Sequence, residues 1–129
     1  MTLDASGATV HLPLAMPASG AAPVDLVLTD VRLGPAGSND GFSFAVYVNL
    51  PPTSTPPSRE IAYYVDTFGS FEISIEQVMG MTPVTLTFSL QKPLGLQGGT
   101  FGALDLSFVA NGRPASGTLV TIGSATVRN

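Results

Sequence analysis

Hydrophobic and polar positions alternate along most of the chain, most clearly from Gly41 to Pro52, GFSFAVYVNLPP. Phe42, Phe44, Val46, Val48 and Leu50 share one parity; Ser43, Ala45, Tyr47 and Asn49 share the other. A period of two predicts a strand with one face in a core and one face out. Gly41 opens it and Pro51-Pro52 closes it, because proline has no N–H to give a ladder. Upstream, Ala8, Val10, Leu12 and Leu14 alternate with Thr9, His11 and Pro13, which predicts an edge strand. Residues 15–23, AMPASGAAP, read as a connector of small residues and prolines. From Val24 to Leu33 the apolar parity runs Val24, Leu26, Leu28 and then shifts to Val31, Leu33. Such a shift predicts a bulge or bend near Thr29 and Asp30.

The second half continues the pattern. Arg59 to Phe68 reads as a strand carrying Tyr63 and Tyr64. After Gly69-Ser70, Phe71, Ile73 and Ile75 alternate with Glu72, Ser74 and Glu76, predicting another strand, with one helical turn over Gln77 to Met81. Val84, Leu86, Phe88 and Leu90 alternate cleanly with Thr85, Thr87 and Ser89. QKPLGLQGGTFG reads as a glycine-rich loop before a strand with Leu104, Leu106 and Phe108. A last strand spans Thr118 to Val127 and bends at Gly123. About eight strands with turn signals between them and no long helix predict an all-β, antiparallel sandwich of jelly-roll or Greek-key type. The 129 residues form a single domain, with residues 1–23 as entry strand and connector.

Composition narrows the classes. Hydrophobic residues make up 44% and charged residues 11%, which argues against disorder, and 14 glycines with 11 prolines suit many short strands. The net charge is −4 and the five basic residues are scattered singly, so no surface for nucleic acid is expected. No apolar run approaches the ~20 residues of a membrane helix, and the start MTLDASGATV lacks the pattern of a signal peptide. The compartment stays open. Cysteine is absent, which removes disulfides and thiolate chemistry.

No catalytic constellation stands out. The single histidine, His11, lies on the outward face of its strand and reads as a solvated edge residue. One imidazole cannot build a zinc or dicopper site. Glu72 and Glu76 suggest a glycosidase pair, but four strand residues span ~13 Å, beyond the ~5–9.5 Å such carboxylates need. Asp30, Asn39 and Asp40 surround a turn without the calcium-loop spacing. Met79 and Met81 place two thioethers together as weak Cu(I) ligands, or as ordinary filler. No G-x-S-x-G elbow exists. Two features suit contact instead: the apolar loop Leu94, Leu96 to Phe101, and an aromatic surface of Tyr47, Tyr63 and Tyr64. Both also read as caps on the core.

In their order, these segments resemble the C-terminal domain of plant- and bacterial-type tyrosinases and catechol oxidases (polyphenol oxidases). SGATVHLPLAMP comes first, then LVLTDVRL, then FAVYVN followed by Leu50-Pro51. YVDTFGSF, LTFSL, LDLSFV and the closing VTIGSATV follow. The resemblance implies a β-sandwich that covers the dicopper site of a catalytic domain, linked or separate, and keeps it latent by inserting a side chain into the substrate entrance. Copper would then belong to that partner, and this chain would hold no cofactor and catalyse nothing itself. Leu94, Leu96 and Phe101 are the plug candidates, on apolarity alone. The alternatives are a carbohydrate-binding module stacking sugars on the three tyrosines, and a structural sandwich such as a coat or adhesion subunit.

Overall fold

A computed structural model describes residues 1–35, 41–51, 62–78, 84–111 and 117–129, and among them lie eight strands and two short helices. The strands are β1 (Thr2–Leu3), β2 (Ala8–Ala18), β3 (Asp25–Leu33), β4 (Ser43–Val48), β5 (Tyr64–Gly69), β6 (Val84–Ser89), β7 (Phe101–Ala110) and β8 (Val120–Arg128). Helix α1 (Ser70–Val78) joins β5 to β6, and α2 (Gln91–Gln97) joins β6 to β7. Two antiparallel sheets result, in the orders β1-β8-β3-β6 and β2-β7-β4-β5. β4 and β5 are sequential neighbours in one sheet; every other connection crosses to the opposite sheet. The all-β antiparallel sandwich expected from the alternation is the observed architecture. Among the described residues, no helix is long and apolar enough to cross a membrane.

The core lies between the sheets. Leu26, Leu28 and Val31 of β3, Val84 and Phe88 of β6 and Ile122 of β8 face Phe44, Val46 and Val48 of β4, Phe68 of β5 and Leu104, Leu106 and Phe108 of β7. These are the inward parities of the sequence. The shift in β3 is real: its register against β6 slips between Leu28 and Val31, and Asp30 sits at φ 53°. Against β8 the same strand keeps register, with Thr29 opposite Ser124 and Val31 opposite Ile122. Gly123 therefore lies across from the bulged Asp30. A Cβ at residue 123 would stand 2.7 Å from the Asp30 Cβ and 3.2 Å from the Thr29 carbonyl oxygen. Gly123→Ala should lower the unfolding free energy by about 1–3 kcal/mol, the range for overpacking. Urea denaturation reads it, and an unchanged midpoint would mean that the strands yield without cost.

Three segments differ from the alternation. Phe71, Ile73 and Ile75 belong to helix α1, not to a strand. The Gly69 N–H donates to Glu72 Oε2 at 3.0 Å, so the glutamate at the third helical position caps the first turn. Local capping and burial of Ile73 on one helical face outweigh a three-residue alternation. The loop QKPLGLQ is likewise helix α2, with Pro93 in its first turn, where the missing N–H costs little. Strand β2 runs on to Ala18, beyond the expected end at Leu14, with its register shifted between Pro13 and Ala18. It is an edge strand, as expected, and its prolines sit where an edge tolerates them.

Candidate functional site

The strand directions give the sandwich two ends. At one end, β4 finishes, β5 begins and α2 connects β6 to β7. Asn49, just past β4, adopts φ 57°, a left-handed conformation that asparagine tolerates better than most residues. Its N–H donates to the Asp105 carbonyl at 2.7 Å, and its Oδ1 accepts from the Asp105 N–H at 3.0 Å. Its Nδ2 donates to Gln97 Oε1 at 3.1 Å, while Gln97 Nε2 donates to the carbonyls of Ala62 (2.7 Å) and Val48 (3.1 Å). Two amide side chains thus tie α2, β4, β7 and the start of β5 together. The sequence does carry a signal for this: an asparagine at a strand end directly before Leu-Pro-Pro.

At this same end, Gly20 packs against α2. A Cβ at residue 20 would fall 2.0 Å from the Gly95 nitrogen, so the turn and the helix touch through backbone alone. Beside them opens a cleft of about 450 Å³ lined by Ser19, Gly20, Ala21, Leu94, Gly95 and Gly98 to Thr100. Its lining holds no ionisable side chain, so it offers no side-chain acid or base. The plug candidates also gather here, but they are not equivalent. Leu94 is fully buried in the core and Phe101 is half-buried against it. Helix formation turns Leu94 inward, which corrects its reading as a free loop residue. Leu96 alone of the three is exposed.

At the other end, β5 runs into α1 and β4 begins. The Ser70 N–H donates to the Phe42 carbonyl at 3.1 Å, and Ser70 Oγ accepts from the Phe42 N–H at 3.3 Å. Ile73 is buried in the core. Between these anchors Phe71 points into solvent, a large exposed ring that the alternation had assigned to a strand face.

The tyrosines do not form a common platform. Tyr47 is buried, because β4 is flanked on both sides by β7 and β5 and the Tyr64 ring packs edge-on against it at 5.8 Å. Tyr64 lies at the margin of exposure with its hydroxyl paired to Thr67 Oγ1 at 2.6 Å, and Tyr63 is half-buried. This burial corrects the outward face expected for β4 and takes Tyr47 out of the aromatic surface. His11 is exposed on the edge strand, and its Nδ1 lies 2.6 Å from Asp105 Oδ1 across the β2–β7 ladder.

The remaining candidates stay apart. Asp30 Oδ1 accepts from Arg32 Nε at 2.7 Å; Asn39 and Asp40 lie outside the described residues, as do Met79 and Met81. In a helix the ~13 Å strand spacing between Glu72 and Glu76 no longer applies. Glu72 is instead engaged in the helix cap, and the side chain of Glu76 is outside the described set. Among the described residues, no three His, Asp or Glu side chains converge on a point that would hold a metal. Among the described residues one carboxyl is perturbed: the Ser6 hydroxyl and amide hold Asp4 below the ordinary carboxylate range, at the exposed turn before β2.

No family model matches the sequence, and no curated protein matches it either. Solved structures do match the fold. Recombinantly expressed latent aurone synthase (polyphenol oxidase) superposes with a TM-score of 0.58 at 15% identity, covering 95% of this chain and 24% of that one. Latent aurone synthase from its natural source gives 0.55 at 14% identity, over 95% of this chain and 23% of that chain. The chain therefore spans about a quarter of the length of the proteins it resembles. At this identity the likeness is one of fold, and at that level it agrees with the resemblance read from the segment order.

Proposed function

We propose that this chain is a non-catalytic domain that shields, or helps mature, the dicopper site of a tyrosinase or polyphenol oxidase and keeps that enzyme latent. The observation that carries the reading is the comparison itself. Nearly the whole chain superposes on a quarter of an enzyme described as latent, so the likeness is to one module of a larger oxidase. Copper belongs to the partner catalytic domain in this reading. With one histidine, already beside Asp105, this chain cannot build a dicopper site itself. The mechanism is steric: a rigid sandwich seated over the entrance excludes phenols and water until it is cut or displaced.

The test is diphenol oxidation by the copper-loaded catalytic domain encoded in the same genome, titrated with the purified chain. Saturable inhibition, relieved when protease digests the chain, is the expected result. Full activity at saturating chain, with no heat of binding in calorimetry, would remove the role.

A further inference from the structure

We propose that the far half of β8 is a self-pairing edge, through which two copies of this chain join antiparallel into one continuous sheet. β8 is an inner strand only over its first residues. β1 pairs with it at Val120 and Thr121, and Met1 exchanges both backbone hydrogen bonds with Ile122, at 2.7 and 2.8 Å. Beyond Ile122, β3 is the only strand that pairs with it among the described residues. The ladder fixes which groups are left over. The Leu90 N–H donates to the Val24 carbonyl, so Val24, Leu26 and Leu28 aim their backbone groups at β6. Asp25, Val27 and Thr29 therefore aim theirs at β8, where they meet Arg128, Thr126 and Ser124. The N–H and C=O groups of Ala125 and Val127 point the other way, to the side that no described strand fills.

Sheet edges that stay single are blunted by charge, proline or a covering strand. β2, an edge of the opposite sheet, carries Pro13 and Pro17 and a broken register. Gly123 to Val127, GSATV, carries neither proline nor charge. The occupant that fits it is a second copy. A two-fold axis through Thr126 sets Ala125 opposite Val127 of the second copy, and Val127 opposite its Ala125, each pair exchanging both backbone bonds. The exposed Thr126 side chains then meet at the axis, a favourable cross-strand pair. Arg128 falls opposite Ser124, so like charges stay apart, and it keeps Asp25 at 3.3 Å. Sliding the second copy two residues further toward β1 would run it into Met1 at Ile122, which excludes that register. The half-buried side chains of Ala125 and Val127 gain apolar neighbours from the other copy. This pairing does not depend on the shielding role.

Sedimentation equilibrium of the purified chain over a range of concentrations tests it, with two variants beside the wild type. Thr126→Arg sets two guanidinium groups against each other at the axis without touching the ladder. Ala125→Pro deletes an N–H that β3 does not use. The wild type is expected to form a reversible dimer, and each variant to weaken it about tenfold or more, through like-charge repulsion in one and lost hydrogen bonds in the other. If Ala125→Pro melts well below the wild type, Thr126→Arg decides alone, since its side chain is exposed. A wild type that stays monomeric up to about 1 mM overturns the proposal, as does a dimer that either folded variant leaves intact. A chain that is monomeric alone but binds the copper-loaded catalytic domain, with Thr126→Arg weakening that binding, gives the edge to that partner and overturns the dimer.

Discussion

Phe68→Ala is expected to lower the unfolding free energy by about 3–5 kcal/mol, the range for truncating a buried phenylalanine. The ring is 1% exposed and touches three others, at centroid distances of 5.9 Å to Phe44, 6.1 Å to Phe88 and 6.3 Å to Phe108. Phe68 belongs to the edge strand β5 of one sheet, and Phe88 to the edge strand β6 of the other. The contact between them closes one side of the sandwich. Alanine would leave a cavity among rings fixed by two separate ladders, with little freedom to collapse into it. Against a total of about 5–15 kcal/mol for a domain, the loss is large. Equilibrium unfolding in urea, followed by near-ultraviolet circular dichroism, measures it. A loss under about 1 kcal/mol would mean that the aromatic cluster repacks freely. Phe68→Leu should fall between the two.

Asn49→Ala is expected to cost about 3 kcal/mol, from two separable sources. Alanine at φ 57° carries a steric cost of about 1 kcal/mol that asparagine largely escapes. Truncation also strips the exposed Asp105 N–H of its acceptor and the part-buried Gln97 Oε1 of its donor, at roughly 1–3 kcal/mol, most of it from the part-buried bond. Asn49→Gly separates the two, since glycine accepts the left-handed conformation but supplies no amide. It should regain about 1 kcal/mol over alanine. Equal stability of the two variants in denaturant titrations would show that backbone conformation contributes nothing there.

How much of this was legible in the sequence depends on the range of the forces involved. The inward residues of β3, β4, β6 and β7 were readable because burial on one face imposes a period of two directly on the chain. The bulge at Asp30 was readable for the same reason, as a break in that period. Helix α1 was hidden because Phe71, Ile73 and Ile75 mimic a strand, while the deciding contact is one carboxylate, Glu72, on one amide. Helix α2 was hidden behind Pro93 and Gly95, which look like loop residues until the first-turn position of the proline is known. Tyr47 could not be placed from its parity: only the flanking strands β5 and β7 show that an outward position is also covered. For the candidate site, apolarity pointed to Leu94, Leu96 and Phe101, yet exposure depends on which helical face meets the core. That face is a tertiary property, and it leaves Leu96 exposed while Leu94 is buried.

The interleaving of the two sheets has a consequence for how the domain comes into being. β1 pairs with β8, joining Leu3 to Val120, and β2 pairs with β7, joining His11 to Asp105. Neither sheet can be completed from a contiguous stretch of the chain, so almost the whole polypeptide must be synthesised before either closes. Such long-range closure places folding in the slow range of about milliseconds to seconds. It also means that a protease need not find a special joint: any one cut between β2 and β7 divides the strands of both sheets between the two fragments. A sandwich built this way closes late, once nearly all of its strands are present.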